Sequence, residues 1–124
     1  MKKAVLFVDD HEALCRLSCD ILRHAGYHAV PAYSGAEALQ VFERMRFDIV
    51  VTDVRMAGMD GLELARALRD RAPKLPIIVV SGYGPIEGGE ITACIAKEEL
   101  FPALLKHMRR CLSEPESGAK PPAA

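Results

Sequence analysis

The chain has 124 residues, half of them hydrophobic, with 16 basic and 17 acidic side chains and a formal net charge of −1. This is one globular domain with a core of its own, and its balanced charge excludes the long basic stripe of a nucleic-acid-binding surface. No run approaches the ~18 continuous apolar residues of a membrane helix. The apolar stretch after Lys2-Lys3 is cut by Asp9-Asp10 before it reaches signal-peptide length. A cytoplasmic protein, with neither nucleic acid nor membrane as a direct partner, is the expectation.

In chain order, AVLFV (Ala4 to Val8) reads as a fully buried strand. A helix follows, with Leu14, Leu17, Ile21 and Leu22 at helical spacing, Asp10 suited to cap it and Gly26 to stop it. YHAVPAY is a strand that Pro31 confines near an edge. Ser34 opens a second helix, with Glu37 three residues on as a capping box. DIVVTD is the third strand, and Asp60-Gly61 opens a third helix that Pro73 stops near Ala72. PIIVVS (Pro76 to Ser81) and ITACIA (Ile91 to Ala96) are the last strands, and a final helix runs from near Phe101 to about Leu112. Residues 1–112 form the domain, and the polar, Pro-rich stretch 113–124 reads as a disordered tail or linker stub.

Between Gly82 and Glu90, GYGPIEGGE holds four glycines and a proline. A crossover carrying a helix needs a dozen or more residues, and this composition opposes helix in any case. A parallel fifth strand reached by a loop is therefore expected, with the helix before it missing or reduced to a turn. The cysteines form no C-x-x-C pair. Cys15 and Cys19 share a helix face, where free thiols usually serve as small buried hydrophobes.

Strands alternating with helices imply an α/β fold with a doubly wound parallel sheet, whose ligands sit beyond the carboxyl ends of the strands. Those ends carry Asp9-Asp10 on the first strand, Asp53 on the third, Ser81 on the fourth and Lys97 on the fifth. Each residue alone is an ordinary loop residue, and Asp10 an ordinary cap. Together they bring three carboxylates, a hydroxyl and an amine to one rim. A carboxylate pair at ~4 Å costs ~4 kcal/mol at an effective dielectric near 20. A hard divalent cation such as Mg²⁺ and the Lys97 ammonium would offset that repulsion. Such a site suits phosphoryl transfer, with Asp53 as nucleophile and Ser81 and Lys97 on the phosphoryl oxygens.

The blocks VLFVDDHEALCRLSCDILRHAGY, DIVVTDVRMAGMDGLEL and PIIVVSGYG, with the late Lys97, resemble the response-regulator receiver domain of two-component signalling (the CheY-like family). The resemblance covers Lys3 to about Leu112. It implies a flavodoxin-like five-stranded parallel sheet in the order 2-1-3-4-5. It also implies Asp53 as phosphoacceptor, with Asp10, Asp53 and the backbone carbonyl of Arg55 binding Mg²⁺ and Asp9 holding it through water. Ser81 and Lys97 would contact the phosphoryl group. The implied donor is a histidine kinase or phosphotransfer protein, and the implied output is contact with a downstream protein. The chain would then be a signalling receiver, not a conventional enzyme, either a stand-alone regulator or the receiver of a hybrid kinase. Arg55 and Tyr83 stand at positions that modulate dephosphorylation in that family.

Four departures accompany the resemblance. Ala57 replaces the turn proline, Glu98 the proline after the lysine, and Cys94 the switch aromatic, while the helix before the fifth strand is expected to be missing or reduced to a turn. The missing helix, Cys94 and Glu98 motivate an alternative, a receiver-shaped binding module that works without phosphorylation. An aspartyl phosphatase is disfavoured, because Asp53 is followed by Val54-Arg55 instead of completing D-x-D.

Overall fold

The computed structural model describes residues 2–113. There are five strands, β1 (Ala4–Val8), β2 (His28–Ala32), β3 (Ile49–Asp53), β4 (Ile77–Ser81) and β5 (Ala93–Ala96), with one helix after each of the first three and a fourth after β5. The helices are α1 (Glu12–His24), α2 (Gly35–Arg44), α3 (Gly61–Arg71) and α4 (Leu100–Cys111), the last entered through a 3₁₀ turn at Lys97–Glu99. The strands form one sheet in the order β2-β1-β3-β4-β5, every neighbouring pair parallel. The doubly wound sheet expected from the sequence is the observed one, and Pro31 lies on edge strand β2. The expected tail lies, from residue 114 onward, outside the described residues.

Alternation along the strands sorts the core into two layers, because successive side chains point to opposite faces. Val5, Phe7, Ile49, Val51, Ile78, Val80 and Ile95 face α1 and α4, meeting Cys15, Cys19, Leu22, Leu104 and Met108. Leu6, Val8, Val50, Ile77 and Val79 face α2 and α3, meeting Ala38, Leu64, Ala65 and Leu68. Both faces of β3 and β4 are covered, so those strands are apolar throughout up to their polar ends. Cys15 and Cys19 are fully buried, as small hydrophobes should be. The Cys15 thiol donates to the Phe7 carbonyl at 3.3 Å, and its hydrogen bond with Cys19, together with burial, holds it protonated.

No helix forms between β4 and β5. The loop is held at its far end by Arg69 of α3. One guanidinium nitrogen of Arg69 donates to the carbonyls of Ala72, Pro73 and Leu75, and the other donates to Glu90 at 2.8 Å. Strand β5 begins at Ala93, two residues later than expected. Just before it, the Thr92 hydroxyl accepts from the Ile77 amide at 2.9 Å. Two helix starts also differ from expectation. His11, not Asp10, caps α1 by accepting from the Leu14 amide. The reciprocal capping box belongs to α3, through Asp60 and Glu63. At Ser34 the hydroxyl accepts from the Glu37 amide at 3.0 Å.

Candidate functional site

Parallel strands end on the same side, so the sheet delivers its C-terminal residues to one rim. Asp9 follows β1 directly, Asp53 and Ser81 are the last residues of β3 and β4, and Lys97 comes one residue after β5. Asp9, Asp53 and Ser81 are buried, whereas Asp10 is exposed. One carboxylate oxygen from each of Asp9, Asp10 and Asp53 lies within 4.8 Å of the others. The Lys97 ammonium sits 3.5 Å from Oδ2 of Asp53. The structure therefore brings together the three acids and the lysine, with Ser81 on the neighbouring strand end.

The backbone fixes each acid. Asp9 Oδ1 accepts from the His11 amide at 2.9 Å and Asp53 Oδ1 from the Val54 amide at 3.0 Å. Asp10 Oδ2 accepts from the Ala57 amide at 3.1 Å. A proline at position 57 has no N–H to give, so this departure from the family turn adds a tether for Asp10. The Ser81 hydroxyl accepts from the Tyr83 amide at 3.2 Å, and its own hydrogen is left to donate elsewhere. Gly61 is needed where α3 meets the end of β3. A Cβ there would strike the Asp53 carbonyl oxygen and come within 2.9 Å of the Val54 Cα, both backbone atoms that cannot give way.

The electrostatics oppose full ionisation. Burial raises the pKa of Asp9, helped by the Asp10 charge and resisted by the His11 hydrogen bond and by Lys97. Burial also raises that of Asp53, reinforced by Asp9 and resisted by Lys97. One ammonium beside three carboxylates leaves an excess of negative charge, carried by hard oxygen donors. That donor set fits a hard divalent cation such as Mg²⁺. A cavity of about 660 Å³ adjoins the cluster, lined by Asp10, Val54, Arg55, Met56, Ala57, Gly58 and Asp60.

Residues 5–110 match the model of the response regulator receiver domain. The chain belongs to that family. Among curated relatives, this receiver is 39% identical over 82 residues to the transcriptional regulatory protein GlrR of Escherichia coli, a match covering 66% of this chain and 18% of the relative. It is 38% identical over 87 residues to the response regulator protein FleR of Pseudomonas aeruginosa, covering 70% of this chain and 18% of the relative. The receiver thus spans about a fifth of the length of these relatives.

Among solved structures, it superposes on the chemotaxis protein CheY4 of Vibrio cholerae with a TM-score of 0.85 at 29% identity, covering 90% of this chain and all of that one. It also superposes on the response regulator TrrA of Thermotoga maritima, solved in complex with Mg²⁺-BeF. There the TM-score is 0.82 at 28% identity, with 89% and 99% of the two chains covered. The acidic pocket of Asp9, Asp10 and Asp53 is the one typical of Mg²⁺-binding receivers and is consistent with a phosphoacceptor site. A receiver is a signalling module, not a conventional enzyme. Among the described residues no helix is long and apolar enough to cross a membrane.

Sequence reasoning named these site residues but missed three of their supports. The Gly61 contact, the Ala57 tether and the Arg69 anchor all depend on approach between distant segments. A further contact joins two residues already singled out. The Arg55 guanidinium carbon lies 4.2 Å above the Tyr83 ring centroid, a cation–π stack at the edge of the site.

Proposed function

We propose that this receiver accepts a phosphoryl group on Asp53 from the phosphohistidine of a histidine kinase or phosphotransfer protein. The observation that carries the proposal is the Lys97 ammonium, 3.5 Å from Asp53 Oδ2, on a site with two further carboxylates. A carboxylate oxygen of Asp53 attacks phosphorus in line. The P–N bond breaks with its electron pair going to the donor imidazole, which leaves neutral once its other ring nitrogen carries a proton. The product is an acyl phosphate. Lys97 and the Ser81 hydroxyl bind the phosphoryl oxygens and offset their charge.

Asp10, Asp53 and the Arg55 carbonyl are the proposed Mg²⁺ ligands, with Asp9 acting through water. When bound, the ion neutralises negative charge on the acids and on the incoming phosphoryl group. The Mg²⁺-BeF complex of the Thermotoga maritima relative supports this reading. Residues 1–112 are the proposed receiver unit, with 113–124 as its tail, and the signal passes on by protein contact in the cytoplasm.

Borohydride trapping tests the assignment. After incubation with acetyl phosphate and Mg²⁺, reduction of the acyl phosphate should convert position 53 to homoserine in the peptide map. Homoserine elsewhere, or nowhere, contradicts it.

The second reading is a binding module independent of phosphorylation. It is motivated by Cys94 on β5, by Glu98 after the lysine and by the missing helix. The buried acids argue against it, because Asp9 and Asp53 are electrostatically costly to keep without a charge-dependent role.

A further inference from the structure

Arg55 lies two residues beyond Asp53 and Tyr83 two residues beyond Ser81, and their side chains stack at 4.2 Å. Among the described residues, no hydrogen bond or ion pair engages the Arg55 side chain, so its contact is the ring face. Tyr83 is 77% exposed, and an exposed cation–π contact is a weak claim on a guanidinium. Arg55 also lines the cavity shared with Asp10 and Ala57, on the loop that leaves Asp53. A phosphoryl dianion is a much stronger partner, offering charge-assisted bonds in the bidentate geometry that a guanidinium matches.

We infer that the Arg55 side chain is a phosphoryl-oxygen ligand held in reserve on Tyr83, and that its move to phosphorylated Asp53 releases Tyr83 and the loop it heads. The inference rests on Asp53 being the phosphoacceptor. The loop from Gly82 to Glu90 contains four glycines and is held at its far end by Arg69 on the Glu90 carbonyl. At its near end it is held by the Arg55 stack and by the Tyr83 amide on Ser81. Removing the stack therefore removes one of two near-end restraints and leaves the far end fixed. Cys94 on β5 has no ring that could report the state of Ser81, so Tyr83 carries the readout instead. The loop 82–90 becomes the surface whose mobility a downstream protein would read.

The test is NMR of the whole chain with Mg²⁺ and beryllofluoride, following the Arg55 δ-methylene protons and the amide exchange of residues 83–90. Without beryllofluoride those methylene protons carry an upfield ring-current shift. With it, the shift should collapse and loop exchange should rise several-fold. Tyr83→Phe keeps a ring for the guanidinium and should respond like wild type. Tyr83→Leu should exchange fast from the start and show no further response. If the Val54 and Ser81 amides report bound beryllofluoride while Arg55 keeps its upfield shift, the reserve-ligand role is overturned and the phosphoacceptor reading stands. If no amide at the site responds and acetyl phosphate adds no mass, the phosphoacceptor reading fails and takes this inference with it.

Discussion

The Lys97 ammonium lies 3.5 Å from Oδ2 of Asp53, although the two residues leave the sheet on strands separated by β4. This contact requires β5 to run parallel to β4, because an antiparallel strand would carry the lysine to the opposite rim. An eleven-residue connection without a helix, Gly82 to Thr92, thus achieves what a helical crossover usually does. The site keeps its cation although the chain has lost the helix.

Lys97→Ala should slow phosphoryl acceptance by about 10²-fold, the usual scale for losing one charge-stabilising contact in a transition state. Its side chain is 44% exposed, so the unfolding free energy should change by less than about 1 kcal/mol. Rates of mass gain with acetyl phosphate, beside urea denaturation, separate the two effects. A large stability loss with an unchanged rate would mean that the lysine is structural.

Asp9→Asn and Asp53→Asn should each stabilise the metal-free protein by about 1 kcal/mol, as expected where a site is kept at the expense of the fold. Both acids have folded-state pKa values above the ordinary 3.8, chiefly through burial. The folded state therefore binds their protons more tightly than the unfolded state does. Their charges oppose folding at neutral pH, and that opposition fades as pH falls towards 3.8. Melting temperatures near pH 7 should rise in both variants, and the gap from wild type should narrow on acidification. Millimolar Mg²⁺ should raise the wild-type melting temperature more than that of Asp53→Asn. A variant less stable than wild type in chelator, with no Mg²⁺ effect on either, contradicts the account.

Arg69→Lys should free the far end of the loop. The guanidinium donates to four carbonyls that one ammonium cannot reach together, and a loss of about 1.5–3 kcal/mol fits hydrogen bonds made by a charged group. Amide exchange at Glu90 and Ile91 should accelerate while the α1 core stays protected. Uniform acceleration throughout would show that Arg69 supports the whole fold and not the loop in particular.

The strands, their parallel direction and the rim acids were legible from local pattern, and the strand order from the family resemblance. Ile49, Val50 and Val51 are β-branched and fully buried, and the run ends on the polar pair Thr52-Asp53 at the carboxyl end of the strand. The helix-free loop was legible from its glycines. Caps proved less certain, because Asp9 and Asp10 both turn towards the site and leave His11 to cap α1. The Arg69 anchor was invisible. Its partners Leu75 and Glu90 are carbonyls, which every residue possesses, so no sequence signal marks them. The Arg55–Tyr83 stack was half legible, as two flanking positions without the contact that joins them.

The most direct test of the central claim is intact mass after incubation with acetyl phosphate, with and without Mg²⁺, beside an Asp53→Asn control. The account predicts a gain of one phosphoryl group that requires Mg²⁺ and is absent from the control. A folded wild type that gains no mass from acetyl phosphate or from a phosphorylated histidine kinase, or an Asp53→Asn chain that gains as much as wild type, would contradict it.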